Sequence, residues 1–259
     1  MNLESNNTAS LAGKVALVTG GGSGIGRAAA LGFARKGATV VVAGRRKAQL
    51  DMVVGEIEAL GGKGAAMPAD ISNEREVTAL IKGVVERFGR LDAAFNNAAV
   101  SSGGPIEALT TVDFDHVFAT NVRGVWMLIQ QEVIAMRTLG NGGAIVNTSS
   151  IAATGGNAGL SIYGASKGAL DAMVRHVAIE VGGNGIRINN VSPGLTRTPM
   201  TVDYPEEMFD AVGAHTALKR VAEADDVGGA AVWLCTDEAR FVTGQSILVD
   251  GGYNIAGMR

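Results

Sequence analysis

The 259-residue chain has one cysteine, three histidines, two tryptophans and no basic run longer than Arg45-Arg46-Lys47. A single cysteine excludes an internal disulfide and is compatible with a reducing cytoplasm, the compartment expected. Cys235 stands in Ala-Ala-Val-Trp-Leu-Cys and reads as a small buried hydrophobe. His116, His176 and His215 are scattered singly, with no metal-ligand spacing. The charge of −3, from 22 basic and 25 acidic side chains, gives no electrostatic footprint for nucleic acid. Nowhere does an apolar run reach the roughly 18 residues of a membrane span, so a soluble protein without a membrane partner is expected. Residues 1–10 lack the basic start and apolar stretch of a secretory signal and read as a flexible arm; residues 11–259 suit one domain, two small ones being the alternative.

Short β-branched runs alternate with longer helical patterns. Strands are expected at Val15–Val18, Thr39–Ala43, Gly64–Met67, Asp92–Phe95, Ala144–Asn147, Arg187–Val191 and Ser246–Val249. Helices are expected near 24–36, 47–60, 74–89, 113–139, 161–182 and 225–235. The alternation implies an α/β fold: a doubly wound, Rossmann-like domain of about seven parallel strands with helices on both faces. Ser101–Pro105 and the stretch from Leu195 to about Leu218 read as mobile loops on the ligand-binding edge of such a sheet.

Thirty-seven glycines leave room for sharp turns, and Thr19-Gly-Gly-Gly-Ser-Gly-Ile-Gly26 fills the first strand-to-helix turn. Glycines there permit close approach to a pyrophosphate, which the N–H groups at the helix start stabilise. Roughly 20 residues on, where an acid would hold the ribose of NAD, the chain has Gly44-Arg45-Arg46, which favours NADP(H) over NAD(H). Asp70, in Pro68-Ala-Asp-Ile71, reads equally as an acceptor for an adenine amino group or as a turn residue.

Tyr163 and Lys167 are spaced to share one helix face, about 5–6 Å apart at Cβ. A cation beside a phenol lowers its pKa, so Tyr163 is expected below its ordinary value and able to exchange protons near neutrality.

With Asn96-Asn-Ala-Ala99, Asn121, Ser150, Tyr163, Lys167 and Pro193-Gly194 following the glycine turn in order, the chain resembles the short-chain dehydrogenase/reductase family from about Leu11 to Tyr253. The family's Thr-Gly-x-x-x-Gly-x-Gly pattern falls on Thr19, Gly20, Gly24 and Gly26. The resemblance implies Tyr163 as acid/base, Lys167 as its activator and a ribose ligand, and Ser150, thirteen residues before Tyr163, as the hydroxyl that polarises the substrate. Asn121 is implied as the asparagine that kinks the long helix and links Lys167 to a water chain. Cofactor contacts are implied for Gly20, Ser23, Gly24, Ile25 and Gly26 in the turn and for Arg45, Arg46, Asp70 and Ile71 around the adenosine. Asn97, Ala98, Tyr163, Lys167, Pro193, Gly194, Thr196 and Thr198 complete the set toward the nicotinamide.

Departures from the pattern are Ala99 in place of a glycine, Ser23 where many NADP-dependent relatives carry a basic residue, and Thr196 where an aliphatic residue is usual. The expected activity is reversible hydride transfer to a neutral ketone or from a secondary alcohol. A carrier-protein 3-oxoacyl reductase, a non-catalytic cofactor sensor and a nucleotide-sugar epimerase or dehydratase are the alternatives. Arg197 is the one residue in the expected substrate walls suited to a carboxylate. Trp126, Met127, Met173 and Val177, on the two long helices, suggest a homotetramer, as in relatives, with a dimer as the alternative.

Overall fold

Seven strands build one parallel sheet in the spatial order Lys63–Pro68, Thr39–Gly44, Val15–Thr19, Ala93–Asn96, Gly143–Thr148, Ile186–Pro193 and Ser246–Val249, and its central members are buried on both faces. The computed structural model describes residues 10–256, so the arm expected over 1–10 lies outside them save Ser10. β1 (Val15–Thr19), α1 (Gly24–Arg35), β2 (Thr39–Gly44), α2 (Lys47–Ala59), β3 (Lys63–Pro68) and α3 (Glu74–Phe88) wind outward in one direction. The chain then returns to the other side of β1 with β4 (Ala93–Asn96), so the order reverses between β1 and β4. At such a reversal the connections diverge and leave a crevice at the strands' carboxyl ends.

β4 leads into α4 (Thr111–Phe118), whose first turn is capped reciprocally by Thr110 and Asp113. The helix expected near 113–139 is α4, a π-helical stretch over Ala119–Gly124 that contains Asn121, and α5 (Val125–Leu139). β5 (Gly143–Thr148), α6 (Ser161–Val181) and β6 (Ile186–Pro193) follow. Part of the segment expected to be a mobile loop is ordered as β7 (Thr196–Arg197) and α7 (Glu206–His215), and β7 pairs with β8 (Ala222–Glu223). α8 (Ala224–Leu234) and β9 (Ser246–Val249) complete the fold. Asp92 is not in β4 as expected: its carboxylate leaves the strand to accept from the Val15 N–H and from Arg90.

Alternation along the strands divides the core in two. Val18, Val42, Phe95 and Val146 meet α1, α2 and α8, with Phe33, Leu50 and Ile57 between. Leu17, Val41 and Ile145 point the other way, toward Leu128 of α5 and Leu170 of α6. Truncating one of these buried leucines to alanine costs about 2–5 kcal/mol. On this second face the register also aligns Asn96, Asn147, Asn190 and Ser246 in one row across the sheet. Met127, Met173 and Val177 pack into or against this core, whereas Trp126 is about half exposed.

Candidate active site

The crevice at the reversal is a cleft of about 850 Å³ running from Arg45 and Asp70 to Tyr204 and Met208. Every sequence-predicted site residue lines it except Gly26 and Asn121.

Gly26 acts from behind the cleft. A Cβ there would lie 2.2 Å from the Gly20 carbonyl oxygen, so the turn closes only on glycine. Gly20 and Gly24 adopt positive φ of 64° and 51°, a region that glycine enters without strain. Ser23 precedes α1 without capping it, and no acid stands in the first turn. The free N–H groups and the positive end of the helix dipole therefore face the cleft. Thr19 Oγ1 accepts from the Asn97 and Ala98 N–H groups at 3.1 and 3.3 Å, which ties the turn to the end of β4. Ile25 packs against the core beneath the turn.

Arg45 and Arg46 follow β2 on the exposed lip of the cleft. Burial works against the charge on Asp70, yet hydrogen bonds from Ser72 and the positive charge of Arg45 hold its carboxyl below the ordinary value. Asp70 thus serves as a turn residue, accepting from the Ser72 N–H and hydroxyl at 2.9 and 2.7 Å, while still lining the cleft. Ile71 is buried beside it. An uncapped helix start, glycines that admit no side chain and a basic lip fit the phosphates of a dinucleotide.

At the other end, Ser150 follows β5 and Tyr163 and Lys167 stand on the first turns of α6. Ser150 hydrogen-bonds the Tyr163 phenol and also accepts from the Ala152 N–H at 3.1 Å. Its neighbour Ser149 turns into the protein, donating to Asp171 at 2.8 Å. Lys167 is buried and donates to the Thr148 carbonyl at 2.6 Å, its ammonium 5.5 Å from the Tyr163 ring centroid. Burial pushes the Lys167 ammonium down to about 8, with the charge of Asp171 opposing the fall.

The expected lowering of Tyr163 is overturned. Burial raises the phenol above its ordinary value, and the Ser150 hydrogen bond offsets only part of that rise. Desolvation, the largest cause, depends on tertiary packing rather than on the local Lys167 spacing.

Asn121 lies inside the π-helical stretch, fully buried. Its side chain exchanges hydrogen bonds of 2.9 and 2.8 Å with the Val100 N–H and carbonyl and donates to Ser166 at 3.1 Å. One extra residue per turn is what aims this amide sideways at the loop after β4. Beneath the site the asparagine row links Glu132 to Asp171: Asn96 donates to Glu132 and Asn147, Asn147 to Asn190, and Asn190 to Asp171. Glu132 and Asp171 carried no motif, and only the strand register reveals them.

Pro193 ends β6 and Gly194 follows it, both lining the cleft. Thr196 is buried with its hydroxyl turned back to the Gly194 carbonyl, and Thr198 opens the turn that leads to α7. Arg197, expected as a candidate for a substrate carboxylate, faces away: it grips Glu206 with both arms of its fork and lies 4.2 Å over the Phe209 ring.

A family model described as enoyl-(acyl carrier protein) reductase matches residues 20–254. The chain is 40% identical over 252 residues to the A-factor type gamma-butyrolactone 1'-reductase of Streptomyces virginiae, covering 95% of this chain and 97% of that protein. It is 37% identical over 242 residues to a 3-oxoacyl-[acyl-carrier-protein] reductase of Thermotoga maritima, covering 93% and 98%. The structure of a short-chain type dehydrogenase/reductase from Mycobacterium marinum superposes with a TM-score of 0.91 at 31% identity, covering 96% of this chain and 99% of that one. The chain belongs to the short-chain dehydrogenase/reductase family. As a member it is an oxidoreductase acting on CH–OH and C=O groups, and the family uses nicotinamide cofactors. No helix among the described residues is long and apolar enough to cross a membrane, and no cluster among them suits a metal ion. Cys235 is buried, its thiol pushed up to about 12 by desolvation, as its apolar context implied.

Proposed function

We propose that the chain reduces a neutral ketone, or oxidises the corresponding secondary alcohol, with NADP(H) in preference to NAD(H). The observation that carries this reading is the meeting of Ser150, Tyr163 and Lys167 at one end of a cleft whose other end is the glycine turn and Arg45. The bound nicotinamide supplies or accepts the hydride.

The Ser150 hydroxyl donates to the substrate oxygen, a preorganised contact worth about 2.7–4 kcal/mol as negative charge develops there. Tyr163, protonated at neutral pH, hands its proton to that oxygen. Lys167 balances the charge left on the phenolate and, with its ammonium near the ring, re-protonates it. Asn121 holds the Val100 backbone, and with it the loop that borders the substrate space. Arg45 and Arg46 after β2, with Gly44 in place of an acid that would favour the free ribose, support binding of a 2′-phosphate.

The engagement of Arg197 by Glu206 and Phe209 removes the one candidate partner for a substrate carboxylate and supports a neutral substrate. Arg137, at the end of α5, is similarly occupied with Asn184 and the Glu180 carbonyl, which leaves less to grip an acidic carrier protein. Exposed Trp126 and Ile134 on α5 and Ile179 on α6 support a homotetramer that pairs these helices. Following NADPH absorbance with ketones, quinones and carrier-bound acyl groups tests the assignment: turnover is expected with free ketones, and turnover only of carrier-bound groups would contradict it.

A further inference from the structure

Building on the carbonyl-reduction reading, we propose that Tyr204 is a specificity residue whose phenol donates a hydrogen bond to a second, neutral oxygen of the substrate.

The charge distribution of the cleft comes first. Its charged lining residues are Arg45, Arg46 and Asp70, at the glycine-turn end, and Lys167, behind Tyr163. Beyond Tyr163 the walls are largely apolar, formed by Val100, Ile151, Leu160, Met200, Met208 and Val212. That surroundings disfavours a charged group on the substrate.

Tyr204 and Tyr253 line the cleft in addition to Tyr163, and the Tyr204 ring is held from outside it. The Tyr204 N–H donates to the Thr201 carbonyl at 3.1 Å. Its ring lies 6.5 Å from that of Phe209, tilted by 41°. Phe209 is buried under the Arg197 guanidinium, which Glu206 grips and Glu223 approaches at 3.8 Å. An ion cluster on the surface thus fixes an aromatic stack that ends in a phenol lining the cleft.

The hydroxyl of Tyr204 has no hydrogen-bond partner among the described residues. Tyr204 and Tyr163 line the same cleft. A simple ketone has one oxygen, and Ser150 and Tyr163 take it. A further fixed donor gains something only from a substrate that brings another acceptor, because a donor left unpaired against bound substrate costs free energy. A ketone with a neighbouring ester, lactone or hydroxyl oxygen fits; an unadorned alkyl ketone leaves the phenol idle.

The test compares the wild type and Tyr204→Phe with NADPH and two ketones of equal chain length, ethyl acetoacetate and heptan-2-one, which differ in the ester oxygens. The ratio of their kcat/KM values is expected to fall in the variant by roughly threefold to tenfold, the size of one neutral hydrogen bond. A ratio within about twofold of wild type overturns the proposal, and a parallel fall with both ketones marks a merely structural role. If the wild type turns over neither ketone, the carbonyl-reduction reading fails and this proposal with it.

Discussion

The Lys167 ammonium stands 5.5 Å from the centroid of the Tyr163 ring, and burial moves the two groups in opposite directions: the phenol up, the ammonium down to about 8. Below that pH both carry protons, the state that reduction requires. The kcat for ketone reduction is therefore expected to be flat between about pH 6 and 7 and to fall through about 8 as Lys167 loses its charge. A pH profile checks this, and a rate that rises through pH 8 would rule out the role given to Lys167.

Arg45 has no ion-pair partner among the described residues, although its charge is felt by Asp70. Replacing it with alanine is expected to raise KM for NADPH by roughly tenfold or more, the size of a hydrogen bond to a charged group, with little change for NADH. Equal changes for the two cofactors would remove the phosphate assignment.

Glu132 is fully buried, with Oε1 unpartnered and Oε2 accepting from Asn96, and desolvation raises its carboxyl from 4.5 to about 8. The folded chain then binds a proton more tightly than the unfolded chain. That contribution is complete below about pH 4.5 and is lost as pH rises to about 8, at up to about 1.4 kcal/mol per pH unit. Glu132→Gln keeps an acceptor for Asn96 and removes the titration. Thermal melts at pH 5 and 8 are expected to differ less for this variant than for wild type; an unchanged difference would show that Glu132 is not the group titrating.

Trp126, Ile134 and Ile179 leave an apolar surface on α5 and α6. Sedimentation is expected to give a species near four times the 26.4 kDa chain, and Trp126→Glu to shift it toward smaller forms. A single species of one chain mass would reject the homotetramer.

The strands were legible in the sequence because β-branched runs buried on both faces leave little else for Thr39–Ala43 or Ala144–Asn147 to become. The turn at Gly20–Gly26 was legible because its glycines answer to local backbone demands. α7 was not: Phe209 and Gly213 are its buried residues, too few to print a helical stripe on a polar segment. The break at Ala119–Gly124 was carried only by the resemblance, which implied a kink at Asn121; one extra residue in a turn shifts the apolar pattern without interrupting it. The row of Asn96, Asn147 and Asn190 between Glu132 and Asp171 was not legible, because it depends on strand register. The sign of the Tyr163 shift lay beyond sequence altogether, because the Lys167 spacing is local and desolvation is not.

The kcat of Tyr163→Phe with NADPH and a neutral ketone tests the proton-transfer assignment most directly. The variant keeps the ring, and cofactor binding is expected to persist while kcat falls by about 10²–10⁴-fold. Turnover close to wild type in a folded, cofactor-binding Tyr163→Phe would contradict it.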